Sequence, residues 1–206
     1  MFWMADVPFE PGASPFRCKG VLYIDTLAYF DEHIQGGRRA LFGYMEDRKL
    51  QSFLAAHFVV GGWYDIFPLI ALQSVAASFA RLPYLEIVRE VARSQLPRQF
   101  RGVHRYLLKL TSPEMVMMNL PRLGEKYYDF LRIAVRELGP KKYESTACGV
   151  PAGVASAYMI SSDVAIRAAL DLAGASAVRV HWFPLEPDGQ AHGVPLMRTR
   201  RETTWM

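Results

Sequence analysis

The periodicity of apolar residues changes near residue 125, and this change constrains the fold more than any other feature of the sequence. Before it, apolar residues recur at spacings of three and four, as in Leu27, Phe30 and Ile34, which is typical of helices. After it, turn signals and an alternating segment at 177–183 indicate strands. The order predicts an α+β domain, with an N-terminal helical layer packed on a four-stranded antiparallel sheet made of two hairpins flanking a helix.

The chain is expected to form one domain preceded by an arm. Residues 1–15 are punctuated by prolines and are expected to be extended and partly mobile. Residues 16–206 are expected to be a single α+β domain, with a helical part over 16–124 and a hairpin–helix–hairpin part over 125–206. With 206 residues, 51% of them hydrophobic, the chain is long enough to bury one sizeable core.

The first helices are predicted from apolar spacing and from capping residues. A short strand over 16–23 is expected to precede a helix that Asp25 caps. The segment 66–81 is apolar nearly all round, and Pro68 suits its first turn, so we expect a central, buried helix. The next helix is expected to begin at Pro83.

Prolines and a glycine are expected to divide the rest of the helical part. Pro97 is predicted to interrupt the helix that begins at Pro83, and a further helix is expected over 98–110. The last short helix is expected to start at Ser112 and to end at Pro121 and Gly124, after which Tyr127 begins the sheet.

The second part is predicted from turns between apolar segments. Gly139–Lys142 is expected to be a turn that leads into a strand over 143–150, and a helix is expected over 151–173. A second hairpin is expected to turn at Pro187–Gly189, with strands over 177–183 and 191–199. In that register His181 and His192 would be diagonal neighbours, and a metal bound there would lack an evident third ligand.

Charge and cysteine content exclude several classes of protein. The net charge is +4, but the basic residues are scattered and no basic patch with interleaved aromatics occurs, so no nucleic-acid partner is expected. The two cysteines, Cys18 and Cys148, fit a reducing cytoplasm, and each is expected to be a small structural residue. No signal peptide is expected, and the longest apolar run, Ile66–Leu72, is far too short for a membrane span.

Catalytic motifs do not occur in the sequence. No phosphate-binding loop, nucleophile elbow, zinc-binding HExxH motif or pair of neighbouring carboxylates is present, so an enzyme is not predicted and no catalytic residue or metal site is proposed.

An inventory of methionine, aromatic and histidine residues is the remaining functional signal. Packing of the core alone would account for these residues, and an adaptable apolar pocket between the helices and the sheet is the alternative. His104 lies in RGVHRYLLKL and is the one histidine that suits an axial haem ligand. The candidate ligand-binding residues are Trp63, Tyr64, Phe67, His104, Met117, Met118, Tyr127 and Tyr128.

Three stretches carry a family resemblance: CKGVLY, GGWYDIFPLI and LLKLTSPEMVMMNLPRLGEKYYDF. Together with the later ALDLAGA and AVRVHW they resemble a myxobacterial paralogous family of unknown function. The arrangement is also similar to a wider superfamily of haem nitric-oxide-binding domains, 4-vinyl reductase sensor domains and TRAPP vesicle-transport subunits. The haem members carry a Tyr-x-Ser-x-Arg motif, and here Tyr128 and Arg132 match it while Phe130 occupies the serine position.

The resemblance implies three functions, and the first is our prediction. It is a non-enzymatic ligand-sensing or regulatory domain that holds a small apolar molecule between helices and sheet, with no cofactor. The second is a protein–protein interaction or scaffold module with a filled core, which acts as a homodimer or through a protein partner. The third is a haem-based gas sensor that uses His104.

Overall fold

The structure is a computed structural model that describes residues 4, 7–99 and 112–206. It is an α+β protein in which helices and an antiparallel sheet pack together, so the predicted fold class is confirmed. His104 and most of the predicted helix over 98–110 lie outside the described residues.

The first half of the described chain is mainly helical. Its elements are β1 (Arg17–Lys19), α1 (Gly20–His33), α2 (Gly37–Tyr44), α3 (Arg48–Leu54), β2 (Trp63–Asp65), α4 (Phe67–Ala80), α5 (Tyr84–Gln99), α6 (Pro113–Met118) and α7 (Leu120–Tyr127). The strands β1 and β2 pair antiparallel, with Cys18 opposite Tyr64. Because the pairing is antiparallel, β1 leads into α1 at one end of this small sheet and β2 leads toward α4 at the other.

The predicted strand over 16–23 is shorter than expected because α1 begins at Gly20. Carbonyl groups of the loop before β2 accept hydrogen bonds from the first N–H groups of α1, at Gly20 and Val21. The helix start is therefore satisfied by backbone rather than by a side chain. Asp25 is buried inside α1 and is not its cap, which corrects the sequence-based assignment.

The helix α4 is buried on nearly every side, as predicted. Pro68 lies in its first turn, and the Asp65 carboxylate accepts a hydrogen bond from the Phe67 N–H at 3.0 Å. Arg81 takes the left-handed conformation, with φ 54°, and ends the helix. The helix therefore forms the centre of the helical layer, as its apolar run indicates.

Two helix boundaries differ from the prediction because tertiary packing overrides local signals. The helix α5 continues through Pro97 to Gln99, since its contacts with α1, α4 and the long helix of the second half hold it together. Pro121 lies in the first turn of α7 and starts that helix rather than ending one. Gly124 lies inside α7, where a Cβ atom would come within 2.3 Å of the Ile133 side chain.

The second half contains the main sheet. Its elements are β3 (Arg132–Gly139), β4 (Lys142–Pro151), α8 (Ala152–Leu172), β5 (Arg179–Trp182), β6 (Glu186–Ala191) and β7 (Val194–Thr204). The strand order is β3-β4-β7-β5, with β6 also paired to β7, and all pairings are antiparallel. Tyr127 ends α7 and does not begin the sheet, which starts at Arg132.

The second hairpin turns later than predicted. The turn between β6 and β7 is formed by His192 and Gly193, both with positive φ, and Pro187–Gly189 lies within β6. His181 is paired with Glu202 of β7, so the two histidines are not neighbours and the predicted diagonal pair is wrong. The Asp188 side chain accepts hydrogen bonds from the Gly149 N–H and from Arg198, which keeps this segment in the sheet.

The described part of the N-terminal arm is tied to the helical layer. The Asp65 carboxylate accepts hydrogen bonds from the Gly12 N–H at 3.0 Å and from the Ser14 N–H at 3.2 Å. The Phe9 ring stacks on Phe67 with centroids 6.2 Å apart. Residues 7–15 therefore follow the start of α4 instead of extending away from the domain.

Candidate functional site

The seam between the helical half and the sheet is formed by β1 and the segment after α7. Tyr128 pairs with Cys18 as an isolated antiparallel bridge. The Tyr128 ring meets Phe130 at 5.6 Å and Tyr158 of α8 edge-on at 6.1 Å. Burial is the main cause that raises the pKa of the Tyr128 hydroxyl, and the nearby Cys18 and Tyr158 raise it further. This group therefore stays protonated and uncharged at neutral pH.

A short polar lock holds this seam closed. The Asp129 carboxylate accepts hydrogen bonds from the Arg17 N–H at 2.8 Å and from the Arg17 Nε at 2.7 Å. The Asp129 N–H donates to the Arg17 carbonyl at 3.1 Å. Gly149, with φ +79°, lets the Phe130 carbonyl approach, since a Cβ atom would lie 2.6 Å from that oxygen. Residues 128–130 are thus fixed from both halves of the protein.

Polar side chains are buried within the packing of α1, α4 and α5. The Gln95 amide of α5 donates to the Thr26 hydroxyl of α1 at 3.1 Å. The Oε1 atom of Gln73 and the hydroxyl of Tyr84 are buried and have no hydrogen-bond partner among the described residues. Buried polar atoms normally have a partner, so each of these two atoms keeps an unused hydrogen-bonding position among the described residues.

Tyr127 connects this polar interior with the seam. Burial and the nearby Asp25 carboxylate both raise the pKa of the Tyr127 hydroxyl. Asp25 is 7% exposed, which makes it a buried acid inside α1. Tyr127 and Tyr128 therefore lie between the buried polar groups on one side and α8 on the other.

The structure brings only part of the predicted pocket together. Tyr127 and Tyr128 lie at the seam, whereas Phe67 is fully buried among Phe9 and Phe16 at the start of α4. The Tyr64 hydroxyl accepts a hydrogen bond from the Val59 N–H at 2.9 Å, away from the sheet.

The other predicted pocket residues lie in different parts of the protein. Met117 is fully buried in a second core cluster with Leu170 and Trp205, whereas Met118 is 58% exposed. Trp63 is 36% exposed and lies beneath the Lys19 ammonium. His104 lies outside the described residues, so the structure does not place it.

Sequence reasoning missed Gln73 and assigned Asp25 to a helix cap. A usable signal existed for Gln73, because the Gln73–Ser74 pair interrupts a run that is otherwise apolar on every face of α4. A polar residue with no exposed face must find a partner inside the protein. No comparable signal marks Tyr84, whose burial depends on how α5 packs.

Metals and membrane spans find no support in the described residues. Within residues 4, 7–99 and 112–206, no group of three or more His, Cys, Asp and Glu side chains is arranged to hold a metal ion. In the same ranges, no helix is long and apolar enough to cross a membrane.

Known structures share this fold. No protein-family model matches the chain, and no curated protein matches its sequence. The fold matches solved H-NOX domains, at low sequence identity, and this likeness shows the architecture alone.

Three of these structures illustrate the likeness, each at 10% identity. A structure described as probing haem distortion in the H-NOX family has a TM-score of 0.66 and covers 91% of this chain and 94% of its own. The Fe(II) unliganded H-NOX protein of K. algicida has a TM-score of 0.64, with 91% and 96% covered. An oxygen complex of an H-NOX domain related to soluble guanylate cyclases has a TM-score of 0.61, with 90% and 92% covered.

These matches correct the prediction that the protein has no cofactor. The descriptions of the matching structures name haem, Fe(II) and bound oxygen, so the fold is one that accommodates a haem group. The sequence suggested otherwise because Phe130 replaces a serine in the resembling motif.

Two donors of the kind that binds carboxylates occur on separate elements of the described chain, Tyr84 on α5 and Arg132 on β3. The Tyr84 hydroxyl is a buried donor whose partner is missing among the described residues, and Arg132 is an exposed guanidinium beside the seam. Arg132 donates one hydrogen bond to the Leu131 carbonyl at 2.8 Å, and its other N–H groups have no partner in residues 4, 7–99 and 112–206. Hydroxyl and guanidinium donors are the groups that hold propionates.

Proposed function

We propose that this protein is a haem-based sensor domain that binds a diatomic gas. The observation that carries this proposal is the likeness of the fold, over 91% of the chain, to H-NOX structures described with haem. The buried atoms of Gln73 and Tyr84 that lack a partner among the described residues support it, because a polar cofactor could contact them.

Residues of this chain are assigned to the haem as follows. His104 would supply an imidazole ligand to the haem, and Tyr128 and Arg132 would hold the propionates from the seam. The bound haem would supply an iron atom to which the gas could bind. Tyr128 suits this role because its uncharged hydroxyl can donate, and the Arg17–Asp129 lock keeps its backbone in place.

The other properties belong to the same proposal. A sensor of this kind needs no catalysis of its own, and two free cysteines suit a cytoplasmic location. The narrower prediction of a small apolar ligand gives way to haem, because the matching structures are described with haem. Membership of the myxobacterial family stays a prediction.

The test is the absorption spectrum of the full chain expressed with haem supplied. We expect a Soret band in the purified protein, which shifts when carbon monoxide is added to the reduced form. His104→Ala should lose the band. His33→Ala should retain it, since His33 is an exposed helix residue bonded to the Tyr29 carbonyl. A colourless, folded wild-type protein would overturn the proposal.

A second candidate, a homodimeric interaction module with a filled core, is favoured by the aromatic packing around Tyr23. The Tyr23 side chain is fully buried and stacks on Phe58 at 4.3 Å, with Phe53 and Tyr64 edge-on to it. A colourless protein that sediments as a dimer would support this candidate. A coloured monomer would exclude it.

A further inference from the structure

The end of the loop between α3 and β2, together with the first residue of β2, presents apolar side chains to solvent on a fixed backbone. We call residues 59–63, with the sequence VVGGW, the apolar tip. The carbonyls of Val60 and Gly62 accept hydrogen bonds from the first N–H groups of α1, at 3.2 and 2.9 Å. The Val59 N–H donates to the Tyr64 hydroxyl at 2.9 Å, and its carbonyl accepts from Gly62 at 2.9 Å. The backbone of the apolar tip is therefore rigidly held.

Two valines of the apolar tip are more than half exposed, and its tryptophan is partly exposed. Val59 is 58% exposed, Val60 is 61% exposed and Trp63 is 36% exposed. A Cβ atom added at Gly61 would meet nothing within 4 Å, so the middle of the tip projects into open space. Backbone groups alone cap α1 here, so the fold does not need apolar side chains at these positions. Exposed apolar residues grouped in this way mark an interaction surface.

A positive charge lies at the base of the apolar tip. The Lys19 ammonium lies 3.8 Å from the centre of the Trp63 ring and donates to the Gly61 carbonyl at 2.8 Å. Among the described residues, no carboxylate lies within ion-pairing distance of Lys19, whereas Arg17 of the same strand is paired with Asp129. The charge of Lys19 is therefore available to an anionic partner.

We propose that the apolar tip docks on the surface of an anionic lipid bilayer. Tryptophan favours the boundary between lipid headgroups and acyl chains, and the two valines would enter that boundary beside it. Lys19 would meet the anionic headgroups, which attract basic groups near a membrane surface. A projecting tip suits a soft surface, whereas a protein partner would need a matching pocket. This proposal does not depend on haem binding.

The test is co-sedimentation of the full chain with vesicles of phosphatidylcholine, alone or mixed with phosphatidylglycerol. We expect stronger binding to the mixed vesicles. The double variant Val59→Asp and Val60→Asp should weaken that binding about tenfold or more. Lys19→Gln should weaken binding to the mixed vesicles about fivefold and leave binding to neutral vesicles unchanged. The tryptophan fluorescence of the full chain, to which Trp63 contributes, should shift to the blue on binding.

A matched control separates the apolar tip from apolar exposure in general. Leu82 is 49% exposed at the end of α4, so Leu82→Asp removes a comparable apolar surface elsewhere and should bind like the wild type. No sedimentation of the wild type with mixed vesicles would overturn the proposal. Equal loss in Leu82→Asp, or binding that the double aspartate variant retains, would also overturn it. If the tip bound a protein partner and the protein did not bind vesicles, the proposal of a lipid surface would be wrong.

Discussion

Replacing Asp65 with alanine removes the acceptor that joins the N-terminal arm to the helical layer. One carboxylate oxygen accepts from the N–H groups of Gly12 and Ser14, and the other accepts from the N–H of Phe67. Asp65 is 2% exposed, so water cannot easily replace these bonds in the variant. The substitution therefore leaves three backbone donors without their acceptor.

The size of the effect follows mainly from the two donors on buried residues, Ser14 and Phe67. A buried donor that loses its acceptor costs about 1–3 kcal/mol, and removal of the buried carboxylate returns part of its own desolvation cost. We expect Asp65→Ala to lower the free energy of unfolding by about 3 kcal/mol. Asp65→Asn keeps one acceptor for Phe67 but turns an NH₂ group toward Gly12 and Ser14, so we expect a loss of about 2 kcal/mol.

The pH dependence gives an independent check. Burial raises the pKa of the Asp65 carboxyl above its ordinary value of about 3.9, although its backbone hydrogen bonds oppose this change. As the pH falls through the raised pKa, the folded protein takes up a proton before the unfolded chain does. The wild type should therefore become more stable relative to Asp65→Ala as the pH falls from the raised pKa to the ordinary one. The opposite slope would show that the hydrogen bonds outweigh burial.

Denaturant unfolding measures the loss, and amide hydrogen exchange at Gly12 and Ser14 locates it. The control is Asp47→Ala, which removes an exposed cap that accepts from Lys49 and Leu50 at the start of α3. This control should cost about 1 kcal/mol. A loss in Asp65→Ala no larger than in the control, or unchanged exchange in the arm, would refute the reasoning.

Three further substitutions test the contacts around the sheet, all by denaturant unfolding. Gly149→Ala should cost about 3 kcal/mol, because φ is +79° and the new Cβ would meet the Phe130 carbonyl. Gly189→Ala, with φ +91° but open space, should cost about 1 kcal/mol, and equal losses would contradict the steric argument. Ser162→Ala should cost about 2 kcal/mol, since it takes an acceptor from the buried Arg201 guanidinium. An unchanged stability of Ser162→Ala would show that water replaces the serine.

The central helix α4 shows which features can be predicted from the local pattern of apolar residues. Residues 67–77 are buried, and nothing but an interior position satisfies a helix that lacks a polar face. The same reasoning failed at Gly124, which was taken as a helix end. Its role is to admit the Ile133 side chain, and that contact depends on where β3 lies. A glycine signal alone does not distinguish a stop from a close approach.

The positions of some candidate site residues, but not of all, followed from the sequence. Tyr127 and Tyr128 were selected from composition and do lie at the seam between the two halves. Met118 and Trp63 were selected by the same criterion, yet they face solvent, because residue type does not report the side of an element. The buried polar atoms of Gln73 were hidden by its apolar neighbours, although that contrast was the available evidence.

The lock between Arg17 and Asp129 also bears on how the chain folds. The two residues are 112 positions apart, so the hydrogen bonds between them close a very long loop. Closing a flexible loop of this length costs about 4 kcal/mol of chain entropy, which must be offset by contacts formed at the same time. Contacts of such long range slow folding. On the ribosome, Arg17 must wait for more than half of the chain to emerge, so the two halves join late in synthesis.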